Sequence, residues 1–308
     1  MKKIPKFTII IPCKNAENTI QRSLDSIRVQ NYPNLECILM DGNSIDNTMS
    51  IVKKNSDILS LVISEDDASA PEAVNKAIQL STGDIVGFLM ADDYLVDNFF
   101  NILSEVVMHN PDYDLYSYGV SIEVLNTKKV IFESFSKKDI TLKLDNILFK
   151  HTLHHFYRKN IFKKYGLLKE LFYDGSVFIS NDKEFLIRLC LNNVKNYVIE
   201  KIIYKMTAHK NSMTLSRKYL VKIREEHIAI ADYYIHNYEL STYQKKRLID
   251  FKSHNLSLLL VYYFYKLDIK NIKKIYLEGF SVKSFFWFFD IIKCPLSEII
   301  YRAKLKKF

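Results

Sequence analysis

The chain has 308 residues, of which 48% are hydrophobic, with only 7 glycines and 6 prolines. This length suits one large domain or two modest ones, and the composition excludes a disordered chain and argues against a loop-rich all-β protein. A net charge of +9 allows phosphorylated substrates, anionic membranes or nucleic acid as partners without choosing among them. The four cysteines, Cys13, Cys37, Cys190 and Cys294, lack CxxC spacing. Neither a zinc site nor a disulfide framework is expected, and a reducing compartment fits. The opening MKKIPKFTIIIP holds too short an apolar run for a signal peptide. No stretch reaches the roughly 18 apolar residues of a membrane span, so a cytoplasmic location is expected.

The first third alternates strand and helix patterns. FTIII (7–11) reads as a buried strand, followed by Ile20, Leu24 and Ile27 at helical spacing. LECILM (35–40) is a second strand, and Ile45, Met49 and Val52 mark a second helix. ILSLVIS (58–64) is a third strand. Ser69 and Glu72 have capping-box spacing ahead of a helix with Val74, Ala77 and Ile78 on its apolar stripe. IVGFLM (85–90) is a fourth strand, and Phe99, Phe100, Leu103, Val106 and Val107 make one more helix. VSIEVL and KKVIFESF read as a strand pair around Asn126-Thr127, Asp182 precedes or opens a helix, and from about residue 216 the pattern is helical, tyrosine-rich and basic.

This order predicts an α/β fold, a mostly parallel central sheet flanked by helices with a helical C-terminal region. Ligands of such sheets sit beyond the carboxyl ends of the strands. Asp41, Glu65 to Asp67, Asp92 and Asp93 all fall there. Carboxylates delivered by a buried strand suit Mg²⁺ or Mn²⁺, which share oxygen ligands with substrate phosphates. A solvated turn with Asp as a helix cap is the competing reading of Asp92-Asp93.

PCKNAENTIQRSLDSIRVQNYPNLECILMDGNSIDNT resembles the opening of the family 2 glycosyltransferases, and STGDIVGFLMADD is similar to their donor-metal segment. The match covers most of residues 5–100 and extends weakly through YRKNIFKKYG and NDKEFLIRL to about 215. The resemblance implies a GT-A type nucleotide-diphosphosugar transferase fold. It implies that Asp41 accepts a hydrogen bond from the nucleobase and that Pro12, Cys13 and Glu17 lie on the nucleotide-side loop. Asp93 matches the last aspartate of the metal motif and Asp92 its neighbour, while Met90 stands where many members carry an acid. Ala68 and Ser69 replace a Lys-Gly pair, and Asp67 is a candidate donor contact in that loop. Asp182 matches the family's catalytic carboxylate, with Asn181 replacing a glutamate and Arg188 at the matching arginine. An inverting transfer needs such a base to take the acceptor hydroxyl proton. Asp182 also reads as a helix N-cap, with Glu184 as the fallback base. His209 resembles a late histidine that completes the metal shell or contacts the diphosphate. His151, His154 and His155 form a weaker candidate cluster.

The expected organisation is a nucleotide-sugar-binding half (1–118), an acceptor-binding half (119–215) and a basic, aromatic helical region (216–308). The last contains NLSLLLVYYFYKL, SFFWFFDII and lysine clusters, which suit either peripheral contact with an anionic bilayer or packing and self-association. The expected activity is inverting transfer from a nucleotide-diphosphosugar, with Mg²⁺ or Mn²⁺, to a glycan or lipid-linked acceptor in surface polysaccharide synthesis. A degenerate, non-catalytic nucleotide-sugar-binding or membrane-associated protein is the alternative. Nucleotidyl transfer is disfavoured because PCKNAEN lacks a glycine-rich loop, and no nucleic-acid module is recognised.

Overall fold

The computed structural model describes residues 4–66, 69–127, 129–149, 154–169, 179–209 and 219–283. The first half runs β1 (Phe7–Cys13), α1 (Ile20–Arg28), β2 (Leu35–Asp41), α2 (Thr48–Lys54), β3 (Leu61–Ser64), α3 (Ala70–Leu80), β4 (Ile85–Phe88), β5 (Tyr94–Leu95) and α4 (Phe99–His109). It continues through β6 (Leu115–Val124), β7 (Val130–Ser134), α5 (Lys137–Ile140), α6 (Leu144–Phe149), β8 (His154–Arg158), α7 (Asn160–Tyr165), α8 (Asn181–Leu191) and β9 (Asn196–Ala208). Three helices follow: α9 (Leu220–Asn237), α10 (Thr242–Lys266) and α11 (Ile269–Lys283).

The described strands join in one sheet of order β3-β2-β1-β4-β8-β6-β9-β5, with β7 on β6. β1 pairs in parallel with β2 and β4, and β2 with β3. This is the parallel half anticipated from the alternating pattern. Past β4 the sheet is mixed, because β8 is antiparallel to both β4 and β6, while β9 runs parallel to β6 and antiparallel to β5. Ile58 closes a short 3₁₀ turn and the third strand starts only at Leu61. There Ser60 N donates to Cys37 O and Ser60 Oγ accepts from Cys37 N, which turns the chain before the edge strand begins.

Phe7, Phe99, Phe100 and Phe156 pack with Tyr32 in the core between the sheet and α1 and α4. Gly87 lies where the parallel half meets β8, opposite Phe156 in register. A Cβ there would stand 2.3 Å from the Phe156 ring, so only glycine admits the aromatic. Ser69 caps α3, its hydroxyl accepting from Glu72 N, as the capping spacing anticipates.

The chain divides into two compact units, with the boundary after Ala208. Residues 118 and 119 both lie within β6, so the two expected halves of the catalytic region share one strand. In the second unit, Ile228 of α9, Leu256, Leu259 and Leu260 of α10 and Ile275 of α11 form a separate core. Ser241 and Gln244 form a reciprocal capping box at the start of α10. No helix among the described residues is long and apolar enough to cross a membrane.

Candidate active site

Parallel pairing sets Cys13, Asp41 and Ser64 side by side at the carboxyl ends of β1, β2 and β3. Asp41 is buried. Its Oδ1 accepts from Ser44 Oγ at 2.5 Å and faces Cys13 Sγ at 3.7 Å. Its Oδ2 accepts from Ser44 N at 3.1 Å and Ser64 Oγ at 2.6 Å. The carboxylate therefore caps its own turn, and the thiol is the weakest of its four donors. Burial, followed by the charge of Asp41, pushes the Cys13 thiol well up and makes it a poor nucleophile.

Two loops interlock beside this rim. Ala16 N donates to Thr48 Oγ1 and Glu17 N to Asp46 Oδ2. In return Asn47 N and Nδ2 both donate to Glu17 Oε2, and Ile45 N donates to Asn15 Oδ1. Asn15 and Asn43 adopt left-handed backbone, with φ of 50° and 57°, a conformation asparagine tolerates better than most residues. Glu17 thus works as a brace between the loops, while Pro12 is half-buried on β1.

The Met90–Asp93 turn follows β4 and is held from two sides. From α1, the Arg22 guanidinium donates to Asp92 O at 2.9 Å and to Thr207 Oγ1, and Ser23 Oγ donates to Met90 O and Asp93 O. From β9, Tyr204 Oη donates to Asp93 Oδ2 at 2.8 Å and accepts from Met90 N at 3.2 Å, and Thr207 N donates to Asp93 Oδ1 at 2.8 Å. Tyr204 stacks on His154 with ring centroids 4.3 Å apart.

Asp93 is 3% exposed and both its oxygens accept protein hydrogen bonds. Burial and the adjacent Asp92 raise its pKa well above the usual carboxylate range, against the lowering effect of Tyr204 and Thr207. Asp93, the expected metal-side carboxylate, thus anchors the turn from inside through Tyr204 and Thr207. Asp92 is half-buried and is the carboxylate of the pair with access to solvent. Among the described residues no group of three His, Cys, Asp or Glu side chains is arranged to hold a metal. One carboxylate still suits Mg²⁺ or Mn²⁺, which fill their remaining positions with water and substrate phosphate oxygens.

Asp182 lies in the first turn of α8 and accepts from Lys183 N at 2.7 Å through Oδ1. It is solvent-accessible, yet the protein around the carboxyl group raises its pKa above the ordinary value. The Asp182 charge is felt by the Tyr157 hydroxyl on β8, which ties α8 to the β4–β8 side of the sheet. Glu184 is buried and paired with Arg188 at 2.7 Å and Lys169 at 3.5 Å. That pairing removes it as a fallback base and gives Arg188 a structural task.

His154 and His155 occupy successive positions of β8, so their side chains leave opposite faces of the sheet and cannot share a metal. His154 Nε2 lies 3.3 Å from Met206 Sδ, and His155 Nδ1 lies 2.7 Å from Ser117 Oγ. Burial lowers their pKa values to about 4 and about 3, so both are neutral. Asp67 and His151 lie outside the described residues. His209 follows β9 directly in the chain. Arg22, Ser23, Tyr204 and Thr207 are absent from the sequence-based site. Arg22 and Ser23 could have been found as polar residues flanked by the apolar α1 positions Ile20 and Leu24.

The family model for glycosyl transferase family 2 matches residues 8–166. The chain belongs to that family. Asp41, Asp92 and Asp93 lie inside the matched stretch, whereas Asp182 and His209 lie beyond it, so their assignment rests on their own surroundings. A PGL/p-HBAD biosynthesis glycosyltransferase of Mycobacterium tuberculosis is 33% identical over 170 residues, 53% of this family 2 chain and 62% of the relative. The Escherichia coli UDP-Glc:alpha-D-GlcNAc-diphosphoundecaprenol beta-1,3-glucosyltransferase WfgD is 30% identical over 135 residues, 44% of this chain and 52% of the relative. The matches thus span a little over half the length of these curated relatives. The structure of S. aureus TarS residues 1–349 in complex with UDP-GlcNAc superposes with a TM-score of 0.63 at 21% identity, covering 89% of this chain and 92% of that one. This likeness establishes the fold, which is of GT-A type.

Proposed function

We propose that this chain moves a sugar from a nucleotide-diphosphosugar to a glycan or lipid-linked acceptor with inversion at the anomeric carbon. The observation that carries the reading is the Met90–Asp93 turn, clamped by α1 and β9 beside the interlocked loops that follow β1 and β2. Such a clamp keeps a carboxylate-bearing turn in one conformation before any ligand arrives, so little reorganisation is needed when the donor binds. The UDP-GlcNAc bound by TarS and the diphosphoundecaprenol acceptor named for WfgD support a nucleotide-sugar donor and a lipid-linked acceptor.

In this mechanism the nucleotide lies at the rim formed by Pro12, Cys13, Glu17 and Asp41. Asp41 takes a nucleobase N–H in place of its weak thiol contact, and Asp67 is a further donor contact. Asp92 would hold Mg²⁺ or Mn²⁺, with His209 a candidate to complete the metal shell or contact the diphosphate; the cation would supply neutralising charge on the leaving diphosphate. Asp182 takes the proton from the acceptor hydroxyl as that oxygen attacks the anomeric carbon. The bond from that carbon to the diphosphate oxygen breaks, and the nucleoside diphosphate leaves. The raised pKa of Asp182 makes it a stronger base than an ordinary aspartate. The basic, aromatic C-terminal region would keep the enzyme peripherally at the inner face of the cytoplasmic membrane, where lipid-linked acceptors reside.

The test is a screen of UDP- and GDP-sugars for release of nucleoside diphosphate by the purified chain, with Mn²⁺, Mg²⁺ or EDTA. Release from one donor, absent with EDTA and abolished by Asp182→Asn with donor binding retained, supports the reading. No release from any donor, together with undiminished nucleotide-sugar binding, would favour a binding protein instead.

A further inference from the structure

The turn between α10 and α11 gathers exposed apolar side chains. Tyr265, Leu267 and Ile269 are 85%, 83% and 79% exposed, with Phe264 beside them and Leu277 and Phe280 further along α11. Isolated exposed apolar residues are ordinary, but a contiguous set marks a contact surface. Helix α11 is apolar on two sides. Ile272, Ile275 and Val282 pack into the core shared with α10, while Ile269, Leu277 and Phe280 face solvent.

Leu267 carries the strongest signal. It is the C-cap of α10 with φ of 56°, a left-handed conformation that favours glycine. A bulky apolar residue is therefore held where both the backbone and the solvent disfavour it. Charge surrounds this tip: Lys266, Lys270, Lys273 and Lys274 are all exposed. The two acidic residues within the same stretch are engaged internally. Asp268 accepts from Asn271 N and Nδ2, and Glu278 pairs with Lys252 at 3.2 Å.

We propose that the α10–α11 corner is a docking surface for an anionic phospholipid bilayer, with Leu267 and its apolar neighbours entering the headgroup boundary and the four lysines meeting lipid phosphates. Apolar insertion combined with a basic rim is the pattern of interfacial binding. This deepens the membrane part of the reading above and does not depend on the sugar chemistry.

The experiment is co-sedimentation of the intact chain with vesicles of phosphatidylcholine alone or with 30 mol% phosphatidylglycerol, at about 0.1 and 0.5 M NaCl, the higher salt screening the lysines. The expected result is binding to the anionic vesicles only, lost at high salt. Lys270→Glu with Lys273→Glu should lower it at least tenfold, given the contribution of each lysine near an anionic surface. Leu267→Gly should weaken binding while leaving thermal stability equal or higher, which a purely structural leucine would not do. Donor hydrolysis should be unchanged in Leu267→Gly, so loss of docking and loss of catalysis read out separately. No binding to anionic vesicles, or binding unaltered by these variants, overturns the proposal. So does a wild-type dimer in light scattering that Leu267→Gly dissociates, which would make this face a self-contact.

Discussion

Tyr204 on β9 and Asp93 in the turn after β4 are 111 residues apart in the chain and joined by a 2.8 Å hydrogen bond. The same hydroxyl receives the Met90 amide, so one phenol fixes both ends of the turn that carries Asp92. Tyr204→Phe keeps the ring stack on His154 and removes only these two bonds. A hydrogen bond to a carboxylate contributes about 1.5–3 kcal/mol. The expected outcome is a stability loss of that order in denaturant unfolding, with a higher Mn²⁺ concentration for half-activation. A variant equal to wild type in both measurements would remove Tyr204 from the clamp.

Asp182→Asn should separate catalysis from folding. Loss of a general base costs roughly 10²- to 10⁴-fold in rate, so transfer should fall by that range while calorimetric donor affinity holds. The folded-state pKa of Asp182 is raised, so the folded chain binds this proton more tightly than the unfolded chain. That group's contribution to stability is therefore favourable at acid pH and falls as pH rises through the folded pKa. Replacing it with Asn removes the penalty at neutral pH, and the melting temperature of the variant should equal or exceed that of wild type.

The pH profile of transfer follows from the same shift. The base form of Asp182 is depleted as pH falls through its raised pKa, so kcat should decline on the acid side at a higher pH than an ordinary aspartate allows. Burial raises this pKa, and among the described residues Lys183 opposes the shift while Tyr157 feels the Asp182 charge. Measuring kcat against pH for wild type and for Asp182→Glu should show the acid limb move with the substitution.

Glu36, in β2, links three segments by accepting from Thr8 Oγ1 at 2.6 Å, Thr82 N at 2.7 Å and Thr82 Oγ1 at 2.5 Å. Burial opposes its ionisation, but these donors and Lys6 win and its pKa is lowered. Its stabilisation is full above the unfolded pKa and is lost as pH falls through the lower folded one. Glu36→Gln should cost about 1–2 kcal/mol at pH 7, and the cost should shrink as pH falls through the lowered folded pKa, measured by urea unfolding across an acid pH series.

Gly87→Ala should destabilise by about 1–3 kcal/mol through overpacking against Phe156. A combined Phe156→Leu change makes room for the new methyl group and should recover part of the loss, read as a double-mutant cycle in thermal unfolding.

The parallel half was legible because β-branched runs such as FTIII and apolar helical stripes report local geometry that the sheet reinforces. The loop carboxylates were legible for the same reason, since strand ends dictate where they emerge. β8 and β9 were not. HHFYR and NYVIEKIIYKMTA carry histidines, lysines and tyrosines whose burial depends on partners far away in the chain. Asp93 shows a related limit: adjacent aspartates look alike in sequence, and only Tyr204 and Thr207 show which one turns inward. Arg188 was legible only as a match to a family arginine; its carboxylate partner is Glu184 within its own helix.

The separation between the Met90–Asp93 turn and its β9 clamp also sets an order of events during synthesis. At about 5–20 residues per second, a ribosome adds Tyr204 roughly 5–20 s after it has added Asp93. From residue 166 onward the nascent polypeptide carries the whole family match without the complete strand that tucks Asp93 away. A stalled product ending near residue 166 would contain the whole matched stretch and still expose that aspartate. Quality-control proteases would therefore meet a recognisable but unfinished sugar-handling domain.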